Sequence, residues 1–155
     1  MKTFKRVLIV VVSCLILYFL YWTISPFFRN TVVQEELMMT AETQVPQPIL
    51  RGSFTGFDKI HNGTGTASIY EVDGKKVLRF EEGFKVNNGP DLYVGFGISG
   101  TYIKGSEISK LKGNIGSQNY ELSTDFDITQ YDSVWVWCKA FSTPFVKAEL
   151  ISPKN

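Results

Sequence analysis

The sequence contains few of the side chains on which most metal and redox sites are built. Among its 155 residues there are one His and two Cys. These are too few for a structural zinc site, which takes four Cys or His ligands, or for a blue-copper site, which takes two His and one Cys. Positive and negative charges nearly balance, since 16 Lys and Arg and 15 Asp and Glu leave a net charge of +1. This balance excludes a strongly basic nucleic-acid binder and an acidic solvating tail.

Several motifs are also missing from the sequence. It has no Gly-x-Ser-x-Gly nucleophile elbow, no phosphate loop and no Cys-x-x-Cys-His haem-attachment motif. The sequence therefore gives no positive indication of a stand-alone enzyme. What it does have is a hydrophobic content of 44%, an aromatic content of 14% and 13 glycines. Such a composition is typical of a folded chain rather than a disordered one, and short apolar runs between glycine-rich turns favour β structure.

The N-terminal segment is predicted to be a membrane anchor. Three basic residues, Lys2, Lys5 and Arg6, precede an uncharged apolar run from Val7 to Ile24. About 18 residues at a rise of 1.5 Å span roughly 27 Å, close to the thickness of a thin hydrocarbon core. Because basic residues favour the cytoplasmic side, we expect residues 1–6 to be cytoplasmic, residues 7–25 to cross the lipid bilayer and the remainder to lie outside the cytoplasm, in a bacterial type of cell envelope.

Two alternatives to an uncleaved anchor stay open at this point. A cleaved signal peptide would have a shorter apolar core and a small-residue cleavage site, and the residues after the run lack an Ala-x-Ala pattern. A lipoprotein would be cleaved and lipidated at Cys14, because residues 11–14 resemble a lipobox. However, Cys14 lies in the middle of the apolar run, so cleavage there would expose apolar residues at the new terminus.

Residues 26–48 are predicted to form a stalk between the anchor and a folded domain. Pro26, Pro46 and Pro48 interrupt regular structure in this segment. We expect Gln34–Met39 to form one or two helical turns beside the membrane. Met38 and Met39 are interpreted as surface or interfacial residues rather than metal ligands.

Residues 49–152 are predicted to form an all-β domain. Short apolar runs alternate with clusters of Gly, Asn, Asp and Ser, which favours a two-sheet antiparallel β-sandwich of about seven or eight strands. Asp73-Gly74 predicts a two-residue hairpin, and Ile108–Leu111 is expected to form one helical turn. The predicted strands are Leu50–Thr55, Thr66–Val72, Lys76–Glu81, Leu92–Ile98, Asn119–Leu122, Ser133–Lys139 and Val146–Ile151.

The strand around Cys138 is the most informative part of this domain. Alternation places Val134, Val136 and Cys138 on one face and Trp135 and Trp137 on the other, so both faces are apolar and the strand should be central. Cys14 and Cys138 cannot form an intramolecular disulfide if the anchor spans the bilayer. An unpaired thiol outside the cytoplasm is unusual. Cys138 is thus either a redox thiol or cofactor ligand, or a small buried core residue.

His61 is the only other side chain that could act with Cys138 on a bound group. A His and a Cys together can ligate one haem iron, so His61 and Cys138 are the candidate haem ligands, although nothing in the sequence requires a cofactor. A lone His in a loop is more often a surface or packing residue. We expect no further metal site.

Several stretches of the domain, taken together and in order, resemble the DM-thirteen (DM13) family, often described as an electron-transfer domain. The resemblance covers about residues 50–151. It rests on residues 52–54, 61–67, 77–80, 88–94 and 111–120, and on the final motif Val134-Trp135-Val136-Trp137-Cys138-Lys139.

The resemblance implies a β-sandwich that occurs alone on bacterial membrane anchors and, in animals, beside DOMON and b-type cytochrome domains. It implies a redox or electron-transfer role centred on a cysteine, and Cys138 occupies that position. His61 matches a position where the family often has His. Since no DOMON or cytochrome domain is present in these 155 residues, electron transfer would require separate redox protein partners. The alternative is a non-catalytic binding or structural module at the cell surface, with Cys138 in its core.

Overall fold

The computed structural model describes residues 2–25, 29–37 and 46–153, with side chains from Phe4 onward. Within these ranges the chain forms one α-helix followed by eleven β-strands. Helix α1 covers Lys2–Ile24. The strands are β1 (Pro48–Gly56), β2 (Gly63–Thr64), β3 (Thr66–Val72), β4 (Lys75–Phe80), β5 (Lys85–Val86), β6 (Leu92–Ile98), β7 (Thr101–Tyr102), β8 (Ser109–Lys110), β9 (Gln118–Glu121), β10 (Ser133–Cys138) and β11 (Thr143–Glu149).

The strands form one curled antiparallel sheet that folds back on itself. Its order is β7-β6-β10-β11-β1-β3-β4-β9, with β8 also paired to β6 and with β2 and β5 forming a separate two-stranded ribbon. Strand β1 joins the two arms of the sheet, because residues 48–53 lie along β3 and residues 54–56 pair with β11. The inner faces of the two arms pack together as the layers of a sandwich do. The predicted all-β fold preceded by one N-terminal helix is confirmed.

Glycine makes the passage of β1 between the arms sterically feasible. A Cβ atom on Gly52 would overlap the backbone carbonyl of Glu149 on β11. Without a side chain at this position, the β11 backbone can approach β1 closely while β1 changes partner. The curl of the sheet therefore depends on a residue in the middle of a strand where glycine is otherwise unfavourable.

Most of the predicted strands and turns agree with the structure. The Asp73-Gly74 hairpin is confirmed, and its two residues have φ angles of 50° and 78°, as a type I′ turn requires. The central position predicted for the strand ending at Cys138 is also confirmed, since β10 lies between β6 and β11. The helical turn expected at Ile108–Leu111 is wrong: Ser109 and Lys110 pair with Val94 and Tyr93 of β6. The backbone groups of β6 that β7 leaves unpaired explain this extended conformation.

The core lies between the two arms and is almost entirely apolar. Its fully buried side chains include three phenylalanines that contact one another or the aromatic residues nearby. Its largest fully buried hydrocarbon side chains are Phe80, Phe84, Phe96, Ile69, Leu78, Val86, Val94, Val134, Val136 and Val146. A core of this kind can stabilise a domain of about 100 residues without disulfide bonds.

Helix α1 is long and apolar enough to cross a membrane. The segment Phe4–Ile24 has a mean hydropathy of 2.5, and none of its most apolar window is buried against the rest of the protein. Its 21 residues would span about 31 Å, close to the thickness of a bilayer's hydrocarbon core. By length and composition alone, such a helix fits a single-pass anchor or a signal sequence.

Residues 29–37, which fall within the predicted stalk, lie against the domain. The Val33 N–H donates to the Ile115 carbonyl at 2.9 Å, and the Glu35 N–H donates to the Ser117 carbonyl at 3.0 Å. Residues 34–37 are not helical, contrary to our expectation, whereas Met38 and Met39 lie outside the described residues. We call residues 29–37 the strap. The domain boundaries drawn from the sequence stay a prediction.

Buried polar contacts hold the strap in place. Arg79, which is only 5% exposed, donates to the Glu35 carbonyl at 2.9 Å and pairs with Glu81 at 3.0 Å. The Glu35 carboxylate contacts Lys112 at 2.7 Å and the Asn119 N–H at 2.6 Å. Burial alone would raise the pKa of Glu35, but these hydrogen bonds and the positive charge of Lys112 outweigh burial and lower it. Glu35 therefore stays ionised and contributes to the attachment of the strap.

Candidate functional site

Cys138 is the last residue of β10 and lies deep in the core. It is cross-strand neighbour to Leu92 on β6 and to Thr143 on β11. Its exposed fraction is 0%, and it belongs to the same apolar cluster as Val134 and Val136. The alternation predicted for β10 is therefore correct, with the thiol on the inner face.

The end of the sheet next to Cys138 is closed by apolar side chains. Leu92 and Phe145 are both buried there. A Cβ atom on Gly89 would lie 2.8 Å from Leu92 Cδ2 and 2.7 Å from Phe145 Cζ, which is closer than real contacts allow. Gly89 thus lets the loop before β6 settle directly onto these two side chains. The closed end keeps solvent away from the thiol.

Phe145 reaches this position because of an irregularity that simple alternation misses. Alternation along β11 predicts Phe145 on the face opposite Val146. In the structure Val146 pairs with Val136 and Pro144 with Trp137, so Phe145 is an additional residue in the ladder. Such a bulge rotates the side chain, and Phe145 and Val146 both join the core.

His61 lies in the turn that follows β1. Asp58 organises this turn, since its carboxylate accepts hydrogen bonds from the Ile60 N–H at 2.7 Å and the His61 N–H at 2.6 Å, and contacts His61 Nδ1 at 2.7 Å. Hydrogen bonding to the His61 side chain, with the backbone hydrogen bonds, lowers the pKa of Asp58 to about 2. The side chain of His61 is 27% exposed. A partly exposed imidazole with one nitrogen held by a carboxylate leaves only Nε2 for any other partner.

Cys138 and His61 lie toward the same end of the domain but do not contact each other through a hydrogen bond among the described residues. The His61 ring packs edge-on against Phe145, with 4.8 Å between the ring centroids. Phe145 belongs to the core cluster that also contains Cys138. A haem held by both residues would have to displace this phenylalanine. The arrangement therefore does not fit a haem between the two side chains, and their role as ligands stays a prediction.

In the described part of the chain, no three His, Cys, Asp or Glu side chains converge on one point as the ligands of a metal ion would. The chemistry available at this end of the domain is that of one thiol shielded from water and one imidazole near the surface. A shielded thiol reacts slowly with dissolved oxidants and alkylating agents, because the thiolate form needs solvation or a positive neighbour.

An aromatic cluster covers the outer face of the same strand. Tyr102 stacks on Trp137 with 4.3 Å between ring centroids and an interplanar angle of 4°, and Phe57 stacks on Trp135 at 5.3 Å. Burial and the neighbouring Glu107 carboxylate raise the pKa of Tyr102, so its phenol stays protonated. The sequence pointed to Trp135 and Trp137 but not to Tyr102, whose contribution depends on the β6–β7 hairpin.

The fold and this site define a class of protein: an all-β domain with one shielded thiol at the end of its central strand, preceded by an apolar helix. The family model described as electron transfer DM13 matches residues 54–150. The chain belongs to this family, as its resemblance predicted. The comparison with curated proteins found no significant match. The comparison with solved structures likewise found none.

Proposed function

We propose that this protein is a membrane-anchored, extracytoplasmic DM13 domain that takes part in electron transfer with other redox proteins. The observation that carries the proposal is the family match over residues 54–150. Within that range Cys138 is the only cysteine, so it is the residue to which we assign the redox role.

The membrane anchor in this proposal is helix α1. Lys2, Lys5 and Arg6 at its start favour a cytoplasmic N-terminus, and Tyr21 and Trp22 near its end are the kinds of residue that favour a membrane interface. Since the apolar surface of the helix is not covered by the domain, a lipid bilayer is the partner that would remove this surface from water.

The burial of Cys138 limits the kind of redox chemistry that we assign to it. A thiol with an exposed fraction of 0% cannot exchange directly with a disulfide in solution. It would act only after the turn formed by residues 139–142 opens. The proposed role involves no haem between Cys138 and His61, because Phe145 packs against the His61 ring.

Alkylation of the native protein tests this role. The full chain carrying Cys14→Ser, so that Cys138 is the only thiol, is treated with iodoacetamide in detergent micelles, and modification is followed by mass spectrometry. The proposal expects Cys138 to be modified well before the protein unfolds, or the purified chain to show a visible absorption band from a bound redox group. A colourless protein whose Cys138 reacts only in denaturant would contradict it.

The burial of Cys138 favours a second candidate function. In this alternative the domain is a non-catalytic binding or structural module at the cell surface, and Cys138 is a small apolar core residue. Within the aromatic cluster, Phe57, which is 44% exposed, would then be the ring most accessible to a partner. A Cys138→Ala protein that folds and retains the cellular phenotype of the wild type would support this alternative, whereas a folded Cys138→Ala protein that loses it would support the redox role.

A further inference from the structure

The strap restricts how far the domain can lie from the end of helix α1. Asn30 accepts a hydrogen bond from the Asn114 side chain at 3.0 Å, and the Thr31 N–H donates to the same side chain at 2.7 Å. Asn30 follows Ser25, the first residue after helix α1, by only five positions in the sequence. A fully extended chain covers at most about 3.6 Å per residue, so Asn30, which is hydrogen-bonded to Asn114 of the domain, lies within about 18 Å of the helix end.

Two turns of the domain lie at the end nearest to the helix. Asn30 also accepts a hydrogen bond from Asn88 at 3.1 Å, and Asn87 donates to the Ile60 carbonyl at 2.8 Å, which places the turn of residues 58–61 beside the loop at 87–91. Phe141, in the turn of residues 139–142, lines an open cavity of about 840 Å³ together with Trp22 of the helix. We call residues 58–61, 87–91 and 139–142 the anchor-proximal end.

Each of the two turns carries an exposed apolar side chain. Ile60 is 72% exposed and Phe141 is 67% exposed. Exposed apolar side chains on the tips of adjacent loops are costly in water and are typical of surfaces that contact another apolar phase. Phe141 in particular has an aromatic ring, which partitions well into the membrane interface.

Basic side chains slightly outnumber acidic ones around these two side chains. Three acidic side chains lie at or beside this end, and each has a local partner: Asp58 contacts His61, Asp91 lies 3.5 Å from Lys110, and Glu107 interacts electrostatically with Lys139. The basic side chains at or beside the anchor-proximal end are all exposed, and they are Arg29, Lys59, Lys110 and Lys139. This excess of positive charge is complementary to a surface of anionic phospholipid headgroups.

We propose that the anchor-proximal end docks on the anionic headgroup surface of the bilayer that holds helix α1, with Ile60 and Phe141 inserted into the interface. The proposal rests on the membrane anchor proposed above. The headgroup region is about 5–8 Å thick on each side. Because Asn30, the point where the strap is bound to the domain, lies within about 18 Å of the helix end, the domain reaches this region without rearrangement of the strap. Docking places the end of β10, and with it Cys138, next to the membrane.

Spin labels on the full chain test this arrangement. In a Cys14→Ser, Cys138→Ala background, a nitroxide is attached at Phe141→Cys, at Ile60→Cys or at Ile98→Cys, and the chain is placed in nanodiscs of phosphatidylglycerol and phosphatidylcholine. Ile98 is the matched control because it is also apolar and exposed, at the opposite end of β6 from Leu92. We expect positions 141 and 60 to be more accessible to oxygen than to a water-soluble nickel complex, and position 98 to show the reverse.

A fourth label, at Phe19→Cys in helix α1, separates docking from anchoring. An oxygen-accessible label at position 19 with water-accessible labels at 141 and 60 would overturn docking and leave the anchor intact. Water-accessible labels at all four positions would overturn both proposals. If the background fails to fold by near-ultraviolet circular dichroism, Cys138→Val replaces Cys138→Ala.

Charge variants test the choice of lipid. One basic residue near an anionic surface changes the equilibrium between docked and undocked states about fivefold, so Lys139→Gln should lower the docked fraction in the phosphatidylglycerol discs. Raising the salt from about 0.1 M to about 1 M shortens the Debye length from about 10 Å to about 3 Å and should have the same effect. A docked fraction that is equal in pure phosphatidylcholine discs and insensitive to salt would overturn the assignment to anionic headgroups.

Discussion

Replacing Cys138 with serine, alanine or valine measures what surrounds its thiol. The three side chains differ in size and polarity. Because Cys138 has an exposed fraction of 0% and lies in the apolar cluster with Val134 and Val136, a serine hydroxyl there would lose its water. An apolar replacement would lose only packing.

The expected free energies of unfolding differ enough to be resolved. Alanine removes one sulfur atom and leaves a small cavity, at a cost of about 1 kcal/mol. Serine adds the cost of burying a hydroxyl without a partner, about 1–3 kcal/mol more. Valine fills the space and suits a strand, so its cost should be below about 1.5 kcal/mol. In a domain of this size 1 kcal/mol shifts the melting temperature by roughly 4–8 °C, so Cys138→Ser should melt at least about 4 °C below Cys138→Ala.

Near-ultraviolet circular dichroism of the full chain in detergent micelles is a suitable assay, because Trp135 and Trp137 report on the folded domain next to the site. Helix α1 does not contribute to the cooperative transition if it stays in the micelle. A serine variant as stable as the alanine variant would refute the inference that Cys138 lies in an apolar shell. It would also remove the main support for the non-catalytic alternative.

Three further predictions concern other parts of the domain. Arg79→Met removes the buried ion pair with Glu81 and the hydrogen bond to the Glu35 carbonyl of the strap. The protein should lose about 3 kcal/mol of stability, and amide protons of the strap should exchange faster. The control is Lys75→Met, which breaks the exposed ion pair with Glu121 and should cost less than about 1 kcal/mol. Gly97→Ala would make a Cβ atom overlap the indole nitrogen of Trp135. The substitution should destabilise the domain by about 1–3 kcal/mol and shift tryptophan fluorescence to longer wavelength. Unchanged fluorescence would contradict the close packing of Trp135 on Gly97. The pKa of Asp58 is lowered from an ordinary 3.8 to about 2. The stabilisation that its carboxylate gives the turn of residues 58–61 is therefore present above pH 4 and is lost as the pH falls through 2. A carboxyl ¹³C titration of Asp58 by NMR with a midpoint near 4 would contradict the lowered pKa.

Features that depend on a few consecutive residues could be read from the sequence. The apolar run Val7–Ile24 indicated a segment able to cross a membrane. Asp73-Gly74 predicted a two-residue hairpin, because such turns need residues that tolerate positive φ. Apolar residues on both faces of Ser133–Cys138 predicted a central strand. Each of these signals is local, since it depends on the period of a strand or helix or on the backbone freedom of one residue.

Some features depended on pairing between distant parts of the chain and escaped local patterns. Ser109 and Lys110 are extended because β6 offers them hydrogen-bonding partners, and Phe145 turns inward because of a bulge in the ladder between β10 and β11. The strap binds a part of the domain that is far away in the sequence: the hydrogen bond from Thr31 to Asn114 connects residues 83 positions apart.

For Cys138 the sequence by itself determined the face of the strand and the absence of a disulfide partner in the domain. Only the tertiary structure decided how deeply the thiol is buried, because Leu92 and Phe145, which cover it, come from two other strands. Alternation along one strand specifies which way a side chain points. The depth at which it lies depends on what the neighbouring strands place over it.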